Sequence, residues 1–125
     1  MTTKHTGDRG EALAAAYLEE HGYRILERNY RYERAEVDLV CFLPAEDYRR
    51  GGVLVFVEVK TRTGLGFGRP EEAVDEAKQR QLRHAARAYL YESGLEGAPA
   101  RFDVVSVLLE PGARPTFEHF ENAFS

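Results

Sequence analysis

Hydrophobic and polar positions alternate along the chain with two different periods. From Asp8 to His21, Glu11, Ala14, Ala15 and Leu18 recur at i, i+3, i+4 and i+7, and Gly22 follows as a terminator. This spacing predicts a helix closed at Gly22, with His21 in the last turn, where a positive charge suits the helix dipole. Tyr23 to Arg31 leans to a strand: Tyr23 and Ile25 alternate with Arg24, although Leu26 and Glu27 blur the pattern. Glu36 to Leu43 reads as a strand, and the polar segment Pro44 to Gly52, with Gly51 and Gly52, as a loop. Val53 to Lys60 is almost continuously apolar and β-branched, which predicts a strand covered on both faces in the middle of a sheet.

Gly64, Gly66 and Gly68 make Arg62 to Arg69 a loop. Pro70 suits a first helical turn, so a long helix is expected over Glu71 to Tyr91, closing near Gly94. Arg101 to Leu109 is a further strand, Pro111, Gly112 and Pro115 a turn, and Thr116 to Phe120 a short last strand. The order α-β-β-β-α-β, with a final β, predicts an α/β fold. Its sheet is mixed, and its third and fourth strands run parallel across a right-handed helical crossover. At 125 residues the expectation is a single domain over 1–125.

The two strands around the Pro44–Gly52 loop form a hairpin. A symmetric loop pairs Phe42 with Leu54, Val40 with Phe56, Asp38 with Glu58 and Glu36 with Lys60. Asp38, Glu58 and Lys60 then project into one region. Two facing carboxylates in a buried strand pair repel and lose hydration, so something must compensate. A neighbouring cation, a retained proton or a divalent metal would each do so. Hard cations take oxygen ligands, and Asp38, Glu58 and the carbonyl of Val59 make a plausible set, with Lys60 at its edge. The plainer reading is a solvated Glu58–Lys60 ion pair. Location favours a site, because Glu58 and Lys60 interrupt the most apolar strand of the chain.

Glu11 lies on the inward stripe of the first helix. It could bind a metal, or simply sit near a helix N-terminus that favours acids. Lys78 shares a face with Leu82, Ala85 and Tyr89; it could reach a phosphate, or lay its stem on the core with its head in water. Asp103 reads as a strand-end charge paired with an arginine. His5, His21, His84 and His119 have no metal-ligand spacing. Gly64-Leu65-Gly66-Phe67-Gly68 lacks the Gly-Lys-Ser/Thr of a phosphate-binding loop. Cys41, the single cysteine, sits in an apolar run and reads as core, so neither an intrachain disulfide nor a thiolate metal cluster is expected.

Charge changes the picture less than its sign suggests. Seventeen basic and twenty-one acidic residues give −4 and a pI near 5.6, which counts against a nucleic-acid binder. Glu11, Glu36, Asp38 and Glu58 alone account for four acids in one small region, and the other seventeen acids match the seventeen bases. A pair of divalent cations there would cancel the excess. DNA binding is then expected to be weak and strongly metal-dependent. Only Lys4, Lys60 and Lys78 are lysine; every other basic residue is arginine, a fixed charge suited to bidentate phosphate contacts. Met1 to His5 leads into a charged segment rather than an apolar signal core, and no apolar stretch approaches the ~20 residues that span a bilayer. A cytoplasmic protein without a membrane partner is expected.

The segments GDRGEALAAAYLEEHGYRILERNYR, AEVDLV, VFVEVKTR, FGRPEEAVDEAKQRQLRHAARAYL, RFDVVSV and the terminal NAF, in that order and spacing, resemble the YraN-like family of small bacterial proteins. The resemblance covers nearly the whole chain. It implies the restriction-endonuclease-like fold of the PD-(D/E)XK nucleases and similarity to archaeal Holliday-junction resolvases. In those enzymes an acid on the second strand and a Glu-x-Lys on the third bind Mg²⁺ and direct water at a phosphodiester. The resemblance gives Asp38, Glu58 and Lys60 these roles, and Glu11 that of the first-helix glutamate. Glu36 matches the glutamate of the family's Gly-Glu-hydrophobic-Asp motif and would sit behind the ligands. Ala35 stands where the family usually has glycine, and would strain the turn if that glycine's φ is positive.

The reading is thus a Mg²⁺- or Mn²⁺-dependent nuclease acting on structured or branched DNA. Arg62, Arg69 and the glycine-rich loop would meet the backbone, and Lys78 would add to them. The alternative is a non-catalytic nucleic-acid or repair-complex adaptor with a vestigial metal site. A structural protein in which Glu58 and Lys60 only pair is a third reading. Junction resolvases work as dimers, which implies a homodimer here; Phe117, Phe120 and Phe124 could serve its interface or equally the core.

Overall fold

The computed structural model describes residues 3–45, 51–64 and 74–125, with side chains from Gly7 onward in the first helix. Its elements are α1 (Thr3–Glu20), β1 (Arg24–Tyr32), β2 (Ala35–Pro44), β3 (Gly52–Arg62), α2 (Glu76–Glu92), β4 (Ala100–Leu108) and β5 (Thr116–Phe124). The strands form one mixed sheet in the order β1-β2-β3-β4-β5, antiparallel throughout except for the parallel β3–β4 pair. This α/β arrangement is broadly consistent with the PD-(D/E)XK architecture.

One helix covers each face of the sheet. Ala14, Ala15 and Leu18 of α1 pack on Leu39, Cys41, Val55, Val57, Val105 and Val107. Leu82, Ala85 and Ala86 of α2 pack on Val37, Val40, Leu54, Phe56 and Val104 from the other side. The apolar run of β3 is therefore buried on both faces, as its composition requires. Cys41 lies in the first of these cores, and burial pushes its thiol up to about 12, so it carries no thiolate at neutral pH. Phe117 packs on the α1 side, and Phe120 and Phe124 on the α2 side.

Several boundaries move. α1 begins at Thr3 rather than Asp8, and ends as expected: Gly22 takes φ 90° and Tyr23 N–H bonds back to Leu18 O at 3.0 Å. α2 starts at Glu76, because the Asp75 carboxylate accepts the Lys78 N–H at 2.8 Å and caps the helix there. The expected start at Pro70–Glu71, Arg69 and most of the glycine-rich loop lie outside the described residues. β5 runs to Phe124, four residues past the expected end, because Ala123 and Phe124 pack on the α2-side core. Ala35 is an extended strand residue, and the left-handed residue of its two-residue turn is Glu33 at φ 55°. Alanine therefore brings no strain at position 35.

Asp103 is not a strand-end charge. It lies inside β4 with no exposed surface, at an irregularity between Phe102 and Val104 where Asn122 of β5 turns left-handed (φ 51°). Its carboxylate accepts from Arg101 Nε at 3.0 Å, from the Asn122 N–H at 2.9 Å, and lies 2.7 Å from His119 Nε2. Arg101 also donates to the Tyr23 hydroxyl at 2.7 Å. Burial works to raise the Asp103 pKa, but the His119, Arg101 and Asn122 hydrogen bonds outweigh it and hold the carboxyl below its ordinary value.

Candidate metal centre

The hairpin register is the one the sequence implies: Phe42 pairs with Leu54 and Val40 with Phe56. The ladder, however, begins at Leu39–Val57, one step short of the expected Asp38–Glu58 pair. Val37 belongs to the α2-side core and Leu39, two residues on, to the α1-side core, so side-chain alternation slips at Asp38. The slip turns Asp38 into the seam between β2 and β3. There its Oδ2 accepts the Val59 N–H at 2.8 Å, standing in for a strand partner.

α1 brings in the next acid. Gly10 packs against β3 so closely that a Cβ there would overlap the Thr61 side chain, and this approach carries Glu11 to the seam. Glu11, Glu36 and Asp38 each offer an oxygen, and the three lie within 4.8 Å of one another. Asn29 of β1 falls opposite Asp38, between the Arg28–Leu39 and Tyr30–Val37 pairs, in a left-handed conformation at φ 53°. With its amide oriented to suit these acceptors, Asn29 Nδ2 donates to Glu36 Oε1 at 2.9 Å and to Glu11 Oε2 at 3.0 Å. Glu36 Oε2 is held by Arg31 at 2.9 Å.

Glu58 and Lys60 alternate with Leu54 and Phe56 and so belong to the α2 side of the sheet. Glu58 is only 6% exposed. Its Oε1 lies 3.3 Å from the Lys60 ammonium and its Oε2 3.8 Å from that of Lys78. Oε2 is buried and accepts no hydrogen bond among the described residues. The two sides meet in a cavity of about 270 Å³ lined by Gly7, Glu11, Asp38, Glu58, Val59, Lys60, Thr61 and Arg62.

The electrostatics record the crowding. Burial first, and the neighbouring Glu58 next, push the Asp38 carboxyl up to about 8, while the Val59 N–H works against the shift. Glu11 is also raised, by burial and by Glu36, against the hydrogen bond from Asn29. A carboxyl raised to about 8 keeps its proton at neutral pH, with the Glu11 and Glu36 oxygens within 4.8 Å of it. In this form the site holds a proton where a cation could take its place.

The structure thus brings Glu11, Asp38, Glu58, Val59, Lys60 and Arg62 to one cavity, and Arg62 Nη1 donates to Thr61 O at 3.2 Å there. Glu36 offers an oxygen within 4.8 Å of Glu11 and Asp38 but does not line the cavity, and Asn29 and Arg31 hold its two oxygens. Lys78 does not send its ammonium to water alone; it turns inward to Glu58. Asn29 and Gly10 are the residues that sequence reasoning missed. Gly10 carried a signal, a glycine directly before an inward acid; Asn29 carried none.

An α/β protein with helices on both faces of a mixed sheet, and a carboxylate cluster able to hold a metal ion, is the class that fold and site define. The chain belongs to the uncharacterised protein family UPF0102, the YraN-like family, whose model matches residues 10–107. A UPF0102 protein of Trichlorobacter lovleyi is 50% identical over 94% of this chain and 88% of its own length. One from Pelobacter propionicus is 47% identical over 97% of this chain and 83% of its own. The solved structure of Pyrococcus furiosus SfsA in complex with Ca²⁺ aligns over 95% of this chain and 63% of that one, at 11% identity and a TM-score of 0.35. That likeness is too low to carry an argument. Among the described residues no helix is long and apolar enough to cross a membrane.

Proposed function

We propose that this protein is a Mg²⁺- or Mn²⁺-dependent endonuclease of the restriction-endonuclease-like fold, a single cytoplasmic domain that hydrolyses phosphodiester bonds in structured or branched DNA. The observation that carries the reading is the Glu58 oxygen, buried without a hydrogen-bond donor, beside three carboxylates drawn within 4.8 Å of one another. A buried carboxylate oxygen without a hydrogen bond is costly, and three acids lining one cavity, with Glu36 beside two of them, suit a hard cation. Asp38, Glu58 and Glu11, with the Val59 carbonyl, would hold it, and Glu36 would complete or support the set. Bound there, a divalent cation supplies a Lewis acid that acidifies water and polarises a phosphoryl oxygen.

The chain's own groups do the rest. Asp38, whose carboxyl burial pushes up to about 8, would release its proton to solvent on becoming a ligand. Lys60, at the cavity rim, donates a hydrogen bond to orient the attacking water and offsets negative charge growing on the phosphate. Lys78 neutralises Glu58 from the other side, and Arg62 with Arg69 meets the flanking backbone.

The test is cleavage of a panel of junctions, flaps, single strands and duplex in Mg²⁺ or Mn²⁺, with and without chelator. Wild-type protein is expected to cut at least one branched substrate only with metal, and Asp38→Asn and Lys60→Ala to lose about a hundredfold or more of that rate. Unchanged cleavage in both variants overturns the mechanism. Metal-dependent DNA retention without cutting across the panel would instead indicate the adaptor.

A further inference from the structure

Beside the carboxylate centre, on the α2 face, lies a larger open groove of about 670 Å³ that has no place in the chemistry above. The β1–β2 turn forms one wall, with Glu33 and Arg34, and α2 forms the other, with Arg80, Gln81 and His84. Two of its lining residues adjoin residues of the carboxylate centre in the sequence: Ala35 precedes Glu36, and Ala77 precedes Lys78, which pairs with Glu58.

The helical wall carries a consistent pattern. Ala77, Arg80, Gln81, His84, Arg87, Ala88 and Tyr91 fall on one face at i, i+3, i+4, i+7, i+10, i+11 and i+14. Arg80 and Arg87 are exposed on that stripe, Arg34 is exposed on the facing turn, and none of the three has an ion-pair or hydrogen-bond partner among the described residues. Tyr91 is 72% exposed at the far end of the stripe. The acid lining the groove is Glu33, whose carboxylate lies 3.7 Å from His84 Nε2. From Arg80 to Tyr91 the stripe runs about 16 Å.

Unpaired guanidiniums at these intervals, small residues that open the space between them, and a terminal aromatic match what a nucleic-acid strand requires. Guanidiniums take phosphates, and an exposed ring can stack on a base. We propose that this groove is a phosphate-backbone binding site that holds the strand leading to the carboxylate centre. Arg34, Arg80 and Arg87 are its phosphate contacts and Tyr91 its stacking platform. The inference rests on the nucleic-acid reading of the centre and adds to it the surface that supplies affinity. A chain of net charge −4 would draw DNA affinity from such a groove: cations concentrated along it do what the overall balance does not.

The test uses the intact chain, a fluorescein-labelled DNA junction, and anisotropy in low salt with EDTA and again with Ca²⁺, while Mg²⁺ uptake is followed separately by calorimetry. Arg34→Gln/Arg80→Gln/Arg87→Gln is expected to weaken DNA binding at least tenfold in both conditions. The slope of log Kd against log salt should fall by about 2–3, at roughly 0.9 per phosphate contact. Tyr91→Ala should weaken binding severalfold with the slope unchanged, Arg80→Lys should keep most of the affinity, and Mg²⁺ uptake should match wild type throughout. A triple variant that binds within twofold of wild type, with the same slope, overturns the proposal. So does a wild-type chain that takes up Mg²⁺ but retains no DNA, which leaves the metal centre standing. Loss of DNA binding in the triple variant when neither form takes up metal supports the groove while removing the nuclease reading.

Discussion

Asp38 and Asp103 are two aspartates built into one sheet by the same local device, with opposite results. Each sits where a strand is irregular, and each falls near a left-handed asparagine on the outer neighbour, Asn29 for Asp38 and Asn122 for Asp103. Around Asp103 the irregularity delivers donors: the Asn122 N–H, Arg101 and His119 all point at the carboxylate. Around Asp38 it delivers acids. Glu11, Glu36 and Glu58 surround it, and the Val59 N–H is the backbone donor it has. Asp103 is accordingly held below its ordinary pKa and Asp38 is driven up to about 8. A carboxylate satisfied from within the chain is structural; one left short of positive charge marks a place for something from outside.

This contrast can be broken first at its stable end. Asp103→Ala would take from Arg101, His119 and the Asn122 N–H the buried acceptor they share, and should cost about 3 kcal/mol in urea unfolding. A loss under 1 kcal/mol would mean that the network contributes little. The pH dependence of stability in chelator should then separate the two aspartates by sign. Asp103, with a lowered folded pKa, adds stability that is present above its unfolded pKa and is lost as pH falls through the folded value. Asp38, raised from 3.8 to about 8, does the reverse: its contribution is greatest in acid and declines as pH rises from about 4 to about 8.

Asp38→Asn removes that decline while its amide oxygen can still accept from Val59. We expect the variant to be about 1 kcal/mol or more stabler than wild type at pH 8 in EDTA, and unable to take up metal. A destabilised Asp38→Asn protein would contradict the idea that burial of this acid costs stability. Gly10→Ala should push α1 off Thr61, costing about 1–3 kcal/mol and weakening metal uptake together. Unchanged metal affinity would show that the α1 approach does not set the position of Glu11. The smallest effect is expected for Asn29→Asp, which keeps the size but replaces the donor to Glu11 and Glu36 with an acceptor. Metal affinity should shift by roughly tenfold, and the added acid should destabilise the metal-free fold by about 1 kcal/mol.

Much of this architecture was legible in the residues. The symmetric loop and the sharp apolar run of β3 set the hairpin register, and Val40–Phe56 and Phe42–Leu54 pair as expected. The intrusion of Glu58 and Lys60 into that run pointed to the corner of the fold where they line a cavity with Glu11 and Asp38. The slip at Asp38 was not legible, because alternation in β2 looks regular until its two cores are seen. Asp103 pairs with an arginine, Arg101, as expected, but its burial inside β4 and its His119 and Asn122 partners on β5 were not legible. Glu36 is placed only by the family motif it matches, while its neighbours Asn29 and Arg31 come from β1. Side-chain convergence across an irregular seam is a tertiary property, and single-strand periodicity does not carry it.

The most direct test of the central claim is calorimetric titration of wild-type protein with Mn²⁺, repeated in two buffers of different ionisation enthalpy. We predict saturable uptake with proton release near neutral pH, as Asp38 exchanges its proton for the cation, and loss of both signals in Asp38→Asn. Absence of binding at millimolar Mn²⁺, or uptake that survives unchanged in Asp38→Asn, would contradict the assignment of this carboxylate cluster as a metal centre.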